Sequence, residues 1–186
     1  MKKFFCLCVC LFVGTVNATV IDTTATWTGG INSGWFGSGQ SFTVDVNDTF
    51  FDDVTFSFDD ASNGLTFDFL LSDALNAGSA LFSTSFVVSN GLGFIDIDTN
   101  LIAGSTVYAL IDYNSYSGLS AHYQSDVYAG GSSNFGANGS KSDFSGLDHV
   151  FVANFTQASQ VPEPVSIVLL GLGLMAICLS RKSKAA

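Results

Sequence analysis

Nearly all the residues of this chain that could do chemistry are aspartates. Asp45-Val-Asn-Asp-Thr-Phe-Phe-Asp-Asp53 sets four carboxylates around an Asn-Asp turn, and Phe58-Asp-Asp-Ala-Ser-Asn-Gly64 repeats the theme on a smaller scale. Paired carboxylates such as Asp52-Asp53 and Asp59-Asp60 suggest glycoside hydrolysis, but that reaction depends on through-space separation, which neighbours in sequence do not reveal. With so many aspartates, adjacent pairs arise by chance. Clustered carboxylates and amide carbonyls are also what a hard cation takes, so Asp45, Asp48, Asp52 and Asp53 are the calcium candidates. Neither stretch has the D-x-D-x-D-G spacing or the closing Glu of an EF-hand. Solvated turn aspartates account for both, and no cofactor is expected.

Nucleophilic catalysis has little to build on. The chain has no G-x-S-x-G elbow and only two histidines, His122 and His149. His149 opens the last strand and reads as a sheet-end residue. His122, next to Tyr123, could face a ligand, but no partner for it is legible. Cys6, Cys8, Cys10 and Cys178 all lie in terminal apolar runs, so residues 19–160 hold no thiol for a disulfide, a zinc site or catalysis. An enzyme is not expected.

Residues 19–160 contain fifteen Asp, no Glu, no Arg and a single Lys, Lys141, a net charge of −14. Such a surface repels phosphate backbones, which excludes nucleic acid as a partner. It also keeps an exported protein soluble. Asp in place of Glu favours turns over helix interiors.

The elements that must position these groups are strands. Residues 41–46, 53–58, 65–69 and 94–98 alternate polar and apolar with β-branched and aromatic residues, which gives strands with one wet and one dry face. Gly29-Gly30, Asn47-Asp48, Ser62-Asn63-Gly64, Asn90-Gly91 and Ala103-Gly104 punctuate them. Residues 107–113 and 150–155 are apolar nearly throughout and read as central strands covered on both faces. The pattern implies an all-β, antiparallel sandwich of about eight to ten strands. Phe42, Phe56, Phe58, Phe67, Phe69, Phe82, Phe86, Phe151 and Phe155 form its expected core, each stabilising by roughly 1.5–3 kcal/mol when fully buried. Residues 114–146 differ: rich in Gly, Ser, Asn and Tyr, they show little apolar periodicity, and long stretches of this kind are usually functional or mobile. Tyr116, Tyr123 and Tyr128 in this segment are the candidates for stacking on a neutral polysaccharide.

The termini carry addresses. Lys2 and Lys3, the apolar run 4–13 and Val16-Asn17-Ala18 make residues 1–18 an export signal cleaved after Ala18. At the other end, Val161-Pro162-Glu163-Pro164 precedes sixteen mostly apolar residues, 165–180, which would run about 24 Å as a helix. That is slightly short of the roughly 30 Å hydrocarbon layer, but snorkelling flanks let it serve as a transmembrane helix. Arg181, Lys182 and Lys184 hold the extreme C-terminus in the cytoplasm. The chain therefore divides into a signal (1–18), a β-domain (19–160) and a tail (161–186).

This three-part tail resembles the PEP-CTERM sorting signal, in which Pro-Glu-Pro precedes a hydrophobic helix and a basic end. Tyr128-Ala-Gly-Gly131 and a closing strand at 149–155 are similar to the jelly-roll-like domains that often accompany it. The resemblance implies an exosortase as partner, a transient inner-membrane anchor, and a Gram-negative envelope or matrix protein made alongside exopolysaccharide. It implies no catalytic activity.

Overall fold

The computed structural model describes residues 18–76, 78–112, 119–137 and 140–157, with backbone alone at 31–35 and 119. The strands are β1 (Ala18–Asp22), β2 (Gly30–Trp35), β3 (Gly37–Thr43), β4 (Phe50–Ser57), β5 (Thr66–Ser72), β6 (Ala80–Val87) and β7 (Leu92–Asn100), followed by β8 (Thr106–Asp112), β9 (Leu119–Ser125), β10 (Ser133–Phe135), β11 (Ser142–Phe144), β12 (Leu147–His149) and β13 (Phe151–Thr156). All the pairings are antiparallel. They make a four-stranded sheet ordered β1-β13-β4-β7, a six-stranded sheet β11-β10-β3-β8-β5-β6, and a small sheet β12-β9-β2. A single bridge between Phe58 and Ala121 joins the small sheet to the end of β4. The chain is an all-β antiparallel sandwich.

The core lies between the sheets and is built from phenylalanine. Phe42 of β3 meets Phe51, Phe151 and Phe155 of the opposite sheet at ring distances of 5.2 to 5.8 Å, and Phe51 stacks on Phe155 at 4.2 Å. Offset and edge-on ring contacts of this kind add about 0.5–1.5 kcal/mol per pair beyond burial. Of the nine expected core rings, Phe82 is only partly buried; Phe51 and Phe135 join the core from positions the alternation did not mark. At Phe51 the cause is a register shift between Phe51 and Asp53, which breaks the period of two. β8 is a central strand between β3 and β5, and from Ala109 to Asp112 it is buried on both faces, as its continuous apolar run implies. β13 instead alternates buried and half-buried residues, so its outer face is only partly covered.

The thirteen strands among the described residues exceed the expected eight to ten, and the surplus falls largely where no periodicity was legible. Residues 114–146 contain β9, β10 and β11. Three-residue strands are too short to show alternation, and here long-range polar contacts fix them in place. Asp148 is the hub. Its buried carboxylate accepts the Val127 and Tyr128 N–H groups at 2.7 Å each and the Gln40 amide at 2.9 Å. Burial raises its pKa, and these three donors work against that rise. The Gln40 carbonyl in turn accepts the His149 N–H at 3.0 Å.

Beyond Tyr128, the chain runs beside β3, with Thr43 N–H to Gly130 O at 2.7 Å and Ser41 N–H to Ser132 O at 2.9 Å. A Cβ on Gly131 would fall on the Ser41 carbonyl oxygen, so only glycine allows this approach. The Tyr-Ala-Gly-Gly stretch is thus a structural staple. Asp148→Ala leaves three donors without an acceptor, the buried Gln40 amide and the part-buried Val127 and Tyr128 N–H groups, and is expected to cost roughly 2–3 kcal/mol in urea unfolding at neutral pH. A loss below about 1 kcal/mol would show that the carboxylate is not the hub.

Lys141 is equally structural. Its ammonium is buried against Asp112, and its backbone exchanges two hydrogen bonds with the Asn76 amide, at 2.6 and 2.8 Å. Among the described residues, the surface therefore presents carboxylates and no free basic side chain.

Candidate functional site

The outer face of the four-stranded sheet carries a groove of about 450 Å³ lined by Thr24, Trp27, Thr55, Ser57, Leu92, Val150 and Val152. The strands set its floor. Ser57 stands opposite Leu92, and Thr55 lies between Phe94 on one side and Val152 on the other. Leu92 and Phe94 are 49% and 58% exposed, so the floor is an apolar strip edged by hydroxyls.

Trp27 closes one end. Its ring stacks on His122 with centroids 4.1 Å apart and planes 21° from parallel, and its indole N–H donates to the Gly30 carbonyl at 3.2 Å. His122 is fixed in turn by a 2.8 Å contact between its Nδ1 and the Ser57 hydroxyl. No partner for His122 was legible in the sequence, and the structure supplies two, Trp27 and Ser57. Both lie far away in sequence, Trp27 in the loop before β2 and Ser57 in β4, which no local pattern could show.

A hydroxyl beside an imidazole is the start of a nucleophile–base pair. Catalysis also needs a group orienting the imidazole and donors for an oxyanion. Here the two nearby carboxylates are occupied in their own turns, Asp59 by the Ala61 N–H at 2.9 Å and Asp60 by the Asn63 amide at 3.4 Å. Burial lowers the His122 pKa and those two charges only partly oppose it, so the ring is neutral at pH 7. What the arrangement does is hold the indole still.

A second cavity, of about 630 Å³, lies at the other end of the sandwich between β1 and the β3–β4 loop. It is lined by Thr19, Ile21, Thr43, Val44, Asp45, Asn47, Asp48, Tyr128 and Phe155. It brings together Asp45, Asp48 and Tyr128. The Asp45 carboxylate is engaged locally, accepting the Asn47 N–H at 2.9 Å and the Asn47 side chain at 3.2 Å. Asp52 and Asp53 belong to β4 instead and accept from Thr156 at 3.3 Å and Asn154 at 2.7 Å. Burial, then Asp53 and Asp98, raise the Asp52 pKa. The four calcium candidates are thus divided between loop and strand. Among the described residues, no three His, Cys, Asp or Glu side chains stand together in a way that could hold a metal ion.

The tyrosines divide as well. Tyr123 is 4% exposed and packs against Phe135 and His149 at 4.6 and 4.3 Å, so its ring offers no face to a sugar. Tyr128 is partly buried against Phe42 and Phe151, at the wall of the second cavity. Tyr116 lies outside the described residues, as do the export signal as far as residue 17 and the whole tail from Val161. Trp27, Ser57, Thr55 and Leu92 went unmarked in the sequence. The available signal was a tryptophan beside Thr28-Gly29-Gly30, outside any strand alternation.

Residues 160–182 match the family model described as the PEP-CTERM protein-sorting motif. The chain carries a PEP-CTERM sorting signal. The motif marks an exported protein sorted by an exosortase, with a membrane-anchored precursor.

Among solved structures, the chain is similar to the clostridial cysteine protease Cwp84 after propeptide cleavage, at 17% identity and a TM-score of 0.54, covering 76% of this chain and 40% of that one. It is also similar to the cysteine protease and lectin-like domains of Cwp84, a surface layer associated protein of Clostridium difficile. There the identity is 20% and the TM-score 0.45, over 66% of this chain and 32% of that one. The chain thus spans less than half of either structure, and the likeness to the first is one of fold. No curated protein matches the chain.

Proposed function

We propose that this is a non-enzymatic envelope or extracellular-matrix protein, associated with exopolysaccharide once its Pro-Glu-Pro tail has been processed. The observation that carries the reading is the sorting motif at 160–182 joined to a β-sandwich. In this reading residues 1–18 are removed after export, 165–180 cross the inner membrane, and Arg181, Lys182 and Lys184 remain in the cytoplasm until the exosortase acts. The domain has the properties such a destination asks for. It holds together through an aromatic core without disulfides, and its anionic surface resists aggregation. Fractionating cells that make exopolysaccharide against cells that make none tests the association. The protein should leave the matrix fraction for the medium when the polysaccharide is missing; an unchanged distribution would contradict it.

The groove at Trp27 favours a second reading, a carbohydrate-binding module. A fixed indole above an apolar strip with threonine and serine hydroxyls is suited to the face of a neutral sugar. Anionic polysaccharides would be repelled by the aspartates. Trp27→Ala, in a domain that still melts cooperatively, is expected to weaken retention on a neutral glycan column by at least about tenfold, or ~1.4 kcal/mol. Equal retention of the variant and the parent would remove the groove from the account.

A further inference from the structure

The two chain ends of the domain leave it side by side. Ala18 of β1 pairs with Thr156 of β13, Thr156 with Phe50 of β4, and Phe50 with Asn100 of β7, one row across the four-stranded sheet. The loops beyond this row are tied together at the same pole: Leu101 N–H donates to Thr49 O at 2.7 Å, Val44 N–H to Ser105 O at 2.9 Å, and Gly104 N–H to Val44 O at 2.8 Å. At the tips of these loops stand Val46 and Ile102, 69% and 77% exposed, the two most exposed large apolar side chains among the described residues.

Covalent geometry limits how far this pole can stand from a bilayer. Residues 157–164 separate Thr156 from the apolar run 165–180 and reach at most about 29 Å fully extended; until the signal is cut, residues 14–17 also hold Ala18 within about 14 Å of the run 4–13. We infer that in the anchored precursor this pole faces the membrane, with Val46 and Ile102 against the zwitterionic headgroup layer. The inference rests on the reading of 165–180 as a membrane span and adds to it an orientation. Asp45 and Asp48 flank Val46 and keep its surroundings hydrated, so the contact is with the interface rather than with the hydrocarbon. The tether makes it an intramolecular contact at high effective concentration, so two apolar tips suffice.

The groove at Trp27 lies at the opposite pole, beside Ser57, Leu92 and Val150, where β4 ends and β7 and β13 begin. The eight residues of β4 put roughly 25 Å between the poles. A domain mounted this way presents its groove away from the membrane.

Site-specific labels test the orientation. The full chain, with Cys6, Cys8, Cys10 and Cys178 replaced by Ser, contains no other thiol and accepts one cysteine at a time at Val46, Ile102, Ala61 or Ser89. Each variant is labelled with a fluorophore and reconstituted in phosphatidylcholine vesicles containing a lipid quenched at the headgroup. Fluorescence should be lost at 46 and 102 and kept at 61 and 89, which belong to the far pole. If the chain floats with the vesicles but all four labels are quenched alike, or only 61 and 89 are, the orientation is wrong and the anchor stands. If the chain does not float, both the span and the orientation fall.

Discussion

Replacing Pro162, Glu163 and Pro164 together by Ala is expected to leave an unprocessed precursor in the inner membrane. The change preserves the apolar run 165–180 and the basic residues Arg181, Lys182 and Lys184, so everything a plain anchor needs is still present. A simple membrane anchor would therefore behave as before. A signal read by a processing enzyme loses the element that distinguishes it from any other hydrophobic tail. Membrane fractionation and immunoblotting should show the larger form accumulating and the outer fractions depleted. If the altered chain reaches its normal destination at its normal size, Pro-Glu-Pro is not what is read.

Acid should destabilise the domain well above the pH range where carboxylates titrate, because of one core histidine. His149 is fully buried among Phe56, Tyr123 and Phe135, and neither ring nitrogen has a hydrogen-bond partner among the described residues. Burial disfavours the charged ring and lowers its pKa from 6.5 to about 3. The unfolded chain takes up a proton near pH 6.5 and the folded one does not until about pH 3. The stability contributed by the neutral ring is therefore complete above pH 6.5 and falls as the pH drops, at about 1.4 kcal/mol per unit.

Asp148 and Asp52 have raised pKa values and act in the opposite sense, gaining stability as the pH falls through the carboxylate range, so the histidine shows most cleanly between pH 5 and 6.5. Over that window urea unfolding should lose roughly 2 kcal/mol. His149→Phe should reduce the slope to the part that His122, whose pKa burial also lowers, still contributes, whatever its effect on absolute stability from the larger ring. An equal slope in parent and variant would mean that the histidine is protonated in the folded state.

Several of the longer strands were legible, because Phe, Val and Ile alternating with Asp, Ser and Thr state both the element and its dry side. β4, β5 and β7 are the clear cases. The reading failed where long-range contacts outweigh local pattern. Phe51 turns inward beside a bulge, and β10, β11 and β12 are three residues each, held by Asp148, Gln40 and the close approach at Gly131. Tyr123 shows the same limit at the level of a site. Next to His122 in a polar segment it resembles a ligand-facing ring, yet alternation along β9 sends it into the core. The groove was hidden for a related reason: Trp27, Ser57 and His122 meet only after β2, β4 and β9 have been assembled. The tail, by contrast, is a linear signal read in order along the chain, and it needed no fold to be recognised.

The most direct test of the account is to recover the protein from outside the inner membrane and determine both its ends by mass spectrometry. The expected product begins at Thr19 and lacks the basic end at Arg181, Lys182 and Lys184. Protein found there with Met1 still in place, or with its C-terminus intact through Ala186, would contradict it.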